Sequence, residues 1–355
     1  MIKVVYFNQW FSSISSVIED IKNRHGNSVK IIGSSRNKDH VFKDSVDIFV
    51  HEDWVETKDK EESMRNYLEW VVNLCTEYHV DYFFCKKHQD YIAKHKKELL
   101  DIRVLPLIEE SDIIDLIDSK SALYDRLSKN NTLKEFIPEY HVYKESLHAM
   151  EYVKENLGKN KICFKLNSDE GGASFRVIDD TIFSLKSLSA FRVNVMSSAD
   201  TVELLTGLDD YTDKLIFMEY LDSPEISVDC YNSKKGFIAI CRSKDGKRKE
   251  HIYYDEKLWE ICKTIADELK LKFPFNVQFR VKHNQENKLE NLRLLEVNTR
   301  LSGGVYYEVI KGLNIAEVCL LDMMNRPEMY DIGKYMNFKD YYAGHVEKAV
   351  LLENN

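Results

Sequence analysis

Three polar residues of different chemistry stand two positions apart near the end of an apolar run: Glu296, Asn298 and Arg300. In an extended strand alternate side chains point to the same face, so these three would share a face while Leu295 and Val297 point into a core. Carboxylate and amide oxygens are ligands that Mg²⁺ prefers, and a guanidinium suits phosphate or carboxylate. The pattern predicts a metal and phosphate site, with an ordinary solvated strand face as the alternative.

A second segment, "FNVQFRV", offers similar side chains. Asn276, Gln278 and Arg280 alternate with apolar residues and would share one face of a strand. If this strand is the hairpin partner of the first, hard oxygen donors and two cations come together on neighbouring strands. Such a face suits a metal-bridged polyphosphate.

A lysine and a glycine-containing loop occur earlier, in "FKLNSDEGGASFRV". Lys165 ends a predicted strand, and Gly171 and Gly172 allow a tight loop whose backbone N–H groups approach phosphate oxygens. The alternative is a surface hairpin with an incidental lysine.

The segment "LIFMEYLDSPEISVDC" reads as two strands. The first ends at Glu219, the chain breaks at Ser223 and Pro224, and Glu225 opens the second. The backbone at such a strand end can hydrogen-bond an adenine edge while a nearby carboxylate holds ribose hydroxyls. Taken alone, the segment is equally an ordinary strand, turn and strand.

Composition excludes several classes of protein. The chain has 355 residues, a formal net charge of −9, 44% hydrophobic and 31% charged residues, which describes a globular protein. The negative charge argues against nucleic acid as the main partner, and no apolar run approaches the roughly 20 residues that cross a bilayer. The N-terminus reads as a first strand, not a signal peptide. Seven cysteines without a C-x-x-C pair favour reduced thiols, no metal–thiolate site and a cytoplasmic location.

The order of predicted elements indicates two kinds of architecture. Strand and helix patterns alternate up to about residue 110, which predicts a parallel sheet with helices on its faces, and no G-x-G-x-x-G turn accompanies it. Helical segments follow near Ser111, and then strands that read as antiparallel pairs, interrupted by the helix "DEKLWEICKTIADELKL". The expected fold class is therefore α/β followed by α+β.

Five short motifs occur in an order that resembles the ATP-grasp superfamily: "DSKSALYDRL", "FKLN" with its glycines, "MEYL" with "EISVD", "VQFR" and "LLEVNTRLSGG". Together with "FNQWFSS" they are most similar to the ATP-grasp proteins associated with tellurite-resistance (Ter) operons. The resemblance implies an ATP-grasp fold with an N-terminal Rossmann-like pre-ATP-grasp domain. It divides the chain into a pre-ATP-grasp domain (1–113), linker helices and a small lobe with the glycine loop (114–212), a large lobe with the nucleotide and metal site (213–327) and a C-terminal tail (328–355).

The same resemblance implies roles for individual residues. Arg300 would stabilise the transferred phosphoryl group, with Lys165, Arg242 and, more weakly, Lys244 as further catalytic candidates. The implied nucleotide-binding residues are Lys120, Lys165, Gly171, Gly172, Ser174, Glu219, Tyr220, Leu221 and Glu225. The implied metal ligands are Gln278, Glu296 and Asn298.

The chain departs from the pattern of the superfamily at three points. Leu166 follows Lys165 where a proline is frequent, Ser174 stands where a third loop glycine is frequent, and Thr299 replaces the proline of Asn-Pro-Arg. The metal-ligand positions are intact.

The activity implied is an ATP-dependent ligase of the carboxylate–amine or carboxylate–thiol type. A carboxylate would be activated as an acyl phosphate and attacked by an amine or another nucleophile, with ADP and phosphate released. The implied cofactors are ATP and two Mg²⁺ ions, with Mn²⁺ as a substitute, and the partners are small-molecule substrates and a second copy in a homodimer. The alternatives are an ATP-binding regulatory or scaffold protein without turnover, and a carboxylase resembling biotin carboxylase.

Overall fold

The computed structural model describes residues 2–157, 161–168, 172–182, 194–211, 213–244 and 249–345. The chain divides into two compact units. The first comprises Met1–Asp115, Ser227–Val277 and Val297–Asn355, and the second comprises Leu116–Ile226 and Gln278–Glu296.

The first unit opens with a parallel five-stranded sheet, as the alternating pattern predicts. Its strands, in the spatial order β3-β2-β1-β4-β5, are β1 (Lys3–Asn8), β2 (Val29–Ser35), β3 (Ile48–His51), β4 (Tyr82–Phe84) and β5 (Leu105–Pro106). The sequence reading missed β3, because this strand is only four residues long and its three apolar residues show no alternation with polar ones.

Helices cover both faces of this sheet, which explains why its strands are apolar on both sides. On one face Val5 and Phe7 belong to the core that includes Ile14 and Val17, and on the other Tyr6 packs in the core that includes Tyr67. The helices of this region are α1 (Ile14–His25), α2 (Lys60–Glu77), α3 (Gln89–Lys94), α4 (Lys96–Asp101) and α5 (Ser111–Asp118).

Two predicted helix ends have different outcomes. Helix α1 ends before Gly26, which has a φ of 50° and so takes the conformation that glycine adopts most easily. The single helix predicted over "HQDYIAKHKKELLD" is instead the pair α3 and α4. His95 stands between them with a φ of −110° and a ψ of 13°, outside the helical region.

The second unit contains a five-stranded sheet whose order is β6-β10-β7-β8-β9. Its strands are β6 (Tyr140–Tyr143), β7 (Ile162–Leu166), β8 (Arg176–Ile178), β9 (Val195–Met196) and β10 (Leu215–Glu219), and its helices are α6 (Lys120–Leu127), α7 (Ser146–Asn156) and α8 (Ser198–Leu205). Phe164 and Phe217, on the paired strands β7 and β10, form its core with Ala149 and Val153 of α7.

A six-stranded sheet has the order β15-β14-β11-β12-β13-β16. Its strands are β11 (Leu221–Ser233), β12 (Gly236–Lys244), β13 (Lys249–Tyr253), β14 (Phe275–Lys282), β15 (Leu292–Asn298) and β16 (Tyr341–Gly344). The remaining α-helices are α9 (Glu256–Leu269), α10 (Tyr306–Val309), α11 (Ile315–Met323) and α12 (Gly333–Met336). Short 3₁₀ turns are formed by Gly26–Ser28, Val41–Ser45, Lys134–Phe136, Asp180–Ile182, Leu208–Asp210, Leu289–Asn291 and Pro327–Met329.

Three sequence expectations can be compared with this sheet. β14 and β15 are neighbours, as the hairpin reading predicts. β11 begins at Leu221 and continues through Pro224, although a break was expected there, because a proline near the start of a strand removes one N–H donor without ending the strand. The C-terminal segment adds β16, which pairs antiparallel with β13.

No helix in the described part of the chain is long and apolar enough to cross a membrane. All seven cysteines are buried, and all are free thiols.

Candidate functional site

The residue that follows strand β7 links the two segments of the second unit that carry the buried lysines Lys120 and Lys165. Lys120 is the first residue of α6, Lys165 lies in β7, and both side chains are buried. The carbonyl of Asn167 accepts a hydrogen bond from the Lys120 N–H at 3.2 Å, and its Oδ1 accepts one from the Ser121 N–H at 3.0 Å. Asn167 therefore fastens the start of α6 to the end of β7.

The sequence reading did not identify Asn167. The only signal available was an asparagine directly after a strand, which is also typical of an ordinary turn. Its Nδ2 donates to Ser119 Oγ at 3.0 Å and its N–H donates to the Lys214 carbonyl at 2.9 Å, so four hydrogen bonds hold this buried residue in place.

Lys165 lies on the face of its strand that is turned away from the core of the second unit. In the antiparallel register Phe164 pairs with Phe217 and Lys165 pairs with Ile216. Both phenylalanines belong to the core, and alternate side chains of a strand point to opposite faces. The lysine is thus aimed away from the helices that cover this sheet.

The glycine loop is described from Gly172 onward, and Gly171 lies outside the described residues. Gly172 has a φ of 71°, and its carbonyl accepts a hydrogen bond from the Phe175 N–H at 3.1 Å. Ser174, where the superfamily frequently has glycine, uses its Oγ to accept the Leu166 N–H at 2.9 Å. The serine thereby ties the loop back to the end of β7, an interaction that glycine cannot make.

The segment from Glu219 to Leu221 joins β10 to β11. The Glu219 N–H donates to the Glu139 carbonyl at 3.1 Å, and the Tyr220 N–H donates to the Lys161 carbonyl at 3.3 Å. The Lys161 ammonium also lies 3.7 Å from the centroid of the Tyr220 ring. These two backbone N–H groups are therefore engaged within the protein.

Glu225 and Arg280 form an ion pair, with Arg280 Nη2 donating to Glu225 Oε2 at 3.1 Å. Arg280 belongs to β14, two residues after Gln278, so their side chains share one face of the strand. The Arg280 Nε is buried and has no hydrogen-bond partner among the described residues. A buried donor of this kind is costly unless another group satisfies it.

Glu296 lies beside the helix that begins with Lys120. The Tyr124 hydroxyl of that helix donates to the Leu295 carbonyl at 2.7 Å and lies 3.3 Å from the Leu294 carbonyl. Burial raises the pKa of Tyr124 well above its ordinary value, and the neighbouring Glu296 carboxylate raises it further. The structure thus brings α6 and β15 into contact next to the carboxylate.

Strand β15 ends at Asn298, so only Glu296 and Asn298 of the three opening residues lie within the extended strand. Arg300 stands two residues beyond it, and its Nη1 donates to the Leu301 carbonyl at 3.3 Å. The intervening Thr299 donates through Oγ1 to Gln89 Oε1 at 3.1 Å, within the first unit. Arg300 is thus positioned by a turn and not by strand alternation.

Arg242 is completely buried in the first unit and surrounded by acidic and hydroxyl groups. Its guanidinium donates to Glu308 Oε1 at 3.0 Å, Glu250 Oε2 at 2.6 Å, Asp229 Oδ2 at 3.1 Å, Ser227 Oγ at 3.0 Å and Ser302 Oγ at 2.5 Å. Such an arrangement is typical of a structural ion-pair network, and the catalytic role of Arg242 stays a prediction. Lys244, the weaker candidate, ends the same strand and pairs across the sheet with Glu250.

The pKa values of two buried carboxyl groups beside Arg242 are shifted in opposite directions. Burial raises the pKa of Glu308 well above its ordinary value, and the adjacent Asp229 adds to this effect. Burial would also raise the pKa of Asp229, but the Arg242 guanidinium and the hydrogen bonds with Glu308 and Ser302 together outweigh burial, so the pKa is lowered. Asp229 is therefore a charged partner of Arg242 at neutral pH.

No group of three or more histidine, cysteine, aspartate and glutamate side chains among the described residues could hold a metal ion. The set predicted from the sequence contains one carboxylate, Glu296, and two amides, Gln278 and Asn298. Gln278 and Glu296 belong to the second unit and Asn298 to the first. The role of these three residues as metal ligands stays a prediction.

Comparison with protein families gives a match over residues 211–339, to the family described as ATP-grasp in the biosynthetic pathway with Ter operon. Among proteins of curated function no similar sequence is found.

Comparison with solved structures gives matches over nearly the whole chain. The N5-carboxyaminoimidazole synthetase of Staphylococcus aureus, complexed with ADP, has a TM-score of 0.60 at 12% identity over 90% of this chain and 76% of that chain. The biotin carboxylase domain of 2-oxoglutarate carboxylase from Hydrogenobacter thermophilus, in complex with MgADP, ADP and bicarbonate, has a TM-score of 0.64 at 14% identity over 96% and 74%.

A third solved structure, the L-amino acid ligase of Bacillus licheniformis, has a TM-score of 0.58 at 13% identity and covers 92% of this chain and 74% of that chain. At such identities these similarities establish the fold, which comprises an N-terminal Rossmann-like domain followed by the ATP-grasp lobes. The chain therefore has the ATP-grasp fold, and its residues 211–339 match the family of ATP-grasp proteins associated with the Ter operon.

Proposed function

We propose that the protein is an ATP-dependent ligase that activates a substrate carboxylate as an acyl phosphate. The observation that carries the proposal is the set of hydrogen bonds by which Asn167 joins the start of α6 to the end of β7. These bonds place the two buried lysines, Lys120 and Lys165, at one end of the five-stranded sheet of the second unit. Two lysines held in this way suit a polyphosphate, because each offers a compact positive charge and three donors. The fold shared with ADP-bound enzymes supports the same reading.

In this proposal the nucleotide lies on residues of the second unit. Lys120 and Lys165 bind phosphate oxygens, and the loop that includes Gly171, Gly172 and Ser174 covers them. Adenine recognition uses the segment Glu219, Tyr220 and Leu221, chiefly its carbonyl groups and the Leu221 N–H, because the other two N–H groups are engaged. Glu225 holds the ribose. Residues 114–212 form the linker helices and the small lobe of the ATP-grasp fold, and residues 213–327 form its large lobe.

The donor set fits Mg²⁺ bound together with a nucleotide. Mg²⁺ is usually held by one or two carboxylates together with substrate phosphates and waters, rather than by a cage of protein carboxylates. Glu296, with the amide oxygens of Gln278 and Asn298, is such a set. The metal would neutralise charge on the triphosphate, and the buried donor at Arg280 Nε would be satisfied by an anion.

The proposed reaction has two steps. A carboxylate oxygen of the substrate attacks the γ-phosphorus of ATP, and the bond to the bridging oxygen of ADP breaks. An amine or other nucleophile then attacks the acyl carbon, and phosphate leaves. Arg300 grips the transferred phosphoryl group, since phosphoryl transfer depends on positioning and charge neutralisation.

An assay of ADP release tests this proposal. The full chain is incubated with ATP, Mg²⁺ and pools of carboxylates and amines, and ADP is measured with and without each pool. We expect ADP release that depends on a carboxylate. A thermal shift by ATP without substrate-dependent ADP release would instead indicate a nucleotide-binding regulatory protein.

The carboxylase alternative is favoured by one observation, the structural similarity to a biotin carboxylase domain complexed with bicarbonate. Incorporation of labelled bicarbonate into product would distinguish it from a ligase. A cytoplasmic location, based on seven free buried thiols, and a homodimer remain predictions. Size-exclusion chromatography with light scattering measures the oligomeric state.

A further inference from the structure

The loops that follow β1 and β4 lie at the point where the order of the parallel sheet reverses. In the order β3-β2-β1-β4-β5 the chain runs outward from β1 to β3 and then returns to place β4 on the other side of β1. The loops after β1 and β4 therefore leave in opposite directions, and ligands of open parallel sheets bind in the crevice between such loops.

Two cations converge there on one exposed aromatic ring. Phe11 follows β1 and is 37% exposed, although its neighbour Trp10 is buried. The Lys86 ammonium, which follows β4, lies 4.3 Å from the Phe11 ring centroid. The Arg300 guanidinium lies 5.1 Å from the same centroid. A single ring thus has two positive groups close to it, at the carboxyl ends of two adjacent strands.

Side-chain hydrogen bonds fix the backbone next to two of these three residues, Lys86 and Arg300. Asn8, fully buried at the end of β1, accepts the Lys86 N–H on its Oδ1 at 2.7 Å. Gln89 Nε2 donates to the Cys85 carbonyl at 2.9 Å and to the Thr299 carbonyl at 3.4 Å. Gln89 thus ties the Lys86 loop to the residue before Arg300. The backbone segments that carry Lys86 and Arg300 are therefore fixed relative to each other, which lowers the ordering cost of binding a ligand there.

We propose that Phe11, Lys86 and Arg300 form the subsite for the carboxylate substrate, an inference that rests on the proposed function. A carboxylate is the anion that a guanidinium grips with two hydrogen bonds, and the ammonium adds a second charge-assisted contact. The exposed Phe11 ring contacts the apolar part of the same substrate. Arg300 therefore meets the carboxylate before transfer and the phosphoryl group during it.

Binding of 4-fluorobenzoate, a carboxylate with an apolar ring, tests the subsite without turnover. Titrations of the full chain are followed by ¹⁹F NMR in the presence of Mg²⁺ and ADP. We expect Lys86→Ala to raise the Kd by about tenfold, as for loss of one charge-assisted contact, and Phe11→Ala to raise it by about threefold.

The matched control is Lys87→Ala, because Lys87 is the exposed neighbour of Lys86 and its loss changes the net charge equally. It should bind the probe like the wild type, and Tm values should be equal for both variants. Equal Kd values for Lys86→Ala and the wild type, equal weakening by Lys87→Ala, or Lys86-dependent binding of inorganic phosphate without 4-fluorobenzoate binding would each overturn the subsite.

The proposed function is judged separately by ADP release. If ADP release depends on a carboxylate but probe binding does not depend on Lys86, the subsite proposal is wrong and the proposed ligase function is retained. Lys86-dependent probe binding supports the subsite as a carboxylate-binding crevice even in a protein that does not turn over ATP.

Discussion

Gly304 lies directly against the guanidinium of Arg242, so close that a methyl group on its Cα would overlap the Nη1 and Cζ atoms. The guanidinium has no room to retreat, because buried partners on several elements hold it. The same guanidinium donates to Ser302, two residues after Arg300. Through this hydrogen bond Arg242 stabilises the segment that contains Arg300 and Ser302.

Gly304→Ala should lower the free energy of unfolding by about 1–3 kcal/mol, the usual effect of overpacking a rigid site. Gly303→Ala is the matched control, since a methyl group there would lie 3.8 Å from Phe11 Cδ2, an ordinary contact. Urea denaturation of both variants measures the difference. Equal stability of the two variants would show that the Arg242 guanidinium can shift to make room for the methyl group at little energetic cost.

Glu296→Gln should abolish carboxylate-dependent ADP release while the fold persists, because the swap keeps the shape of the side chain and removes its charge. Glu290→Gln, an exposed position just before the same strand, should have no effect. Steady-state ADP release and far-UV circular dichroism are the two measurements. Unaltered Mg²⁺-dependent release in Glu296→Gln would remove Glu296 from the proposed metal site.

Lys165→Ala should weaken ATP binding by about tenfold or more, the effect of losing one charge-assisted contact, and should change Tm little. The exposed Lys214→Ala variant, just before the neighbouring strand β10, controls for net charge. Isothermal titration calorimetry gives both affinities. Wild-type ATP affinity in Lys165→Ala contradicts the proposed phosphate contact.

Arg300→Lys should lower kcat by about ten- to a thousandfold, in line with the loss of one transition-state donor. Lysine keeps the charge but cannot hold two oxygens at once, so ground-state ATP binding should change much less. Initial rates at varied ATP separate kcat from KM. A raised KM for ATP with an unchanged kcat would make Arg300 a binding residue only.

Glu109→Gln should remove a pH dependence from the stability of the first unit. Burial raises the pKa of Glu109 from its ordinary 4.5 to about 7, although its carboxylate accepts the backbone N–H groups of Lys272 and Phe273. The folded state then binds the proton more tightly than the unfolded state does. Stability from this group is complete below about pH 4.5 and is lost as the pH rises to about 7.

Relative to the wild type, the Glu109→Gln variant should therefore gain up to about 3 kcal/mol in unfolding free energy between pH 5 and 8. Urea denaturation at the two pH values measures the gain. Glu110→Gln is the control, because hydrogen bonding to Lys96 lowers the pKa of Glu110 and leaves it ionised over this range. A gain of the same size in the control would exclude Glu109 as the source.

Much of the fold follows from local patterns in the sequence. Strands such as β1 that are apolar on both faces predict a sheet with helices on both sides. Gly26 marks the end of α1, because its backbone conformation disfavours other residues. The chemical identities of Glu296 and Asn298, two residues apart in one strand, are likewise local properties. Alternation then suffices to put both on one face.

The tertiary structure decided what contacts those residues. Arg242 at a strand end is compatible with catalysis, and its burial depends on Glu308, which lies 66 residues away in the chain. Asn167 resembles an ordinary turn residue until α6 packs onto it. Phe11 and Lys86 meet because the strand order places β4 beside β1, and Arg300 reaches them from another sheet, next to the contact between Thr299 and Gln89. Local periodicity determines which face a side chain takes, whereas long-range packing determines its partners, and no short-range pattern contains that information.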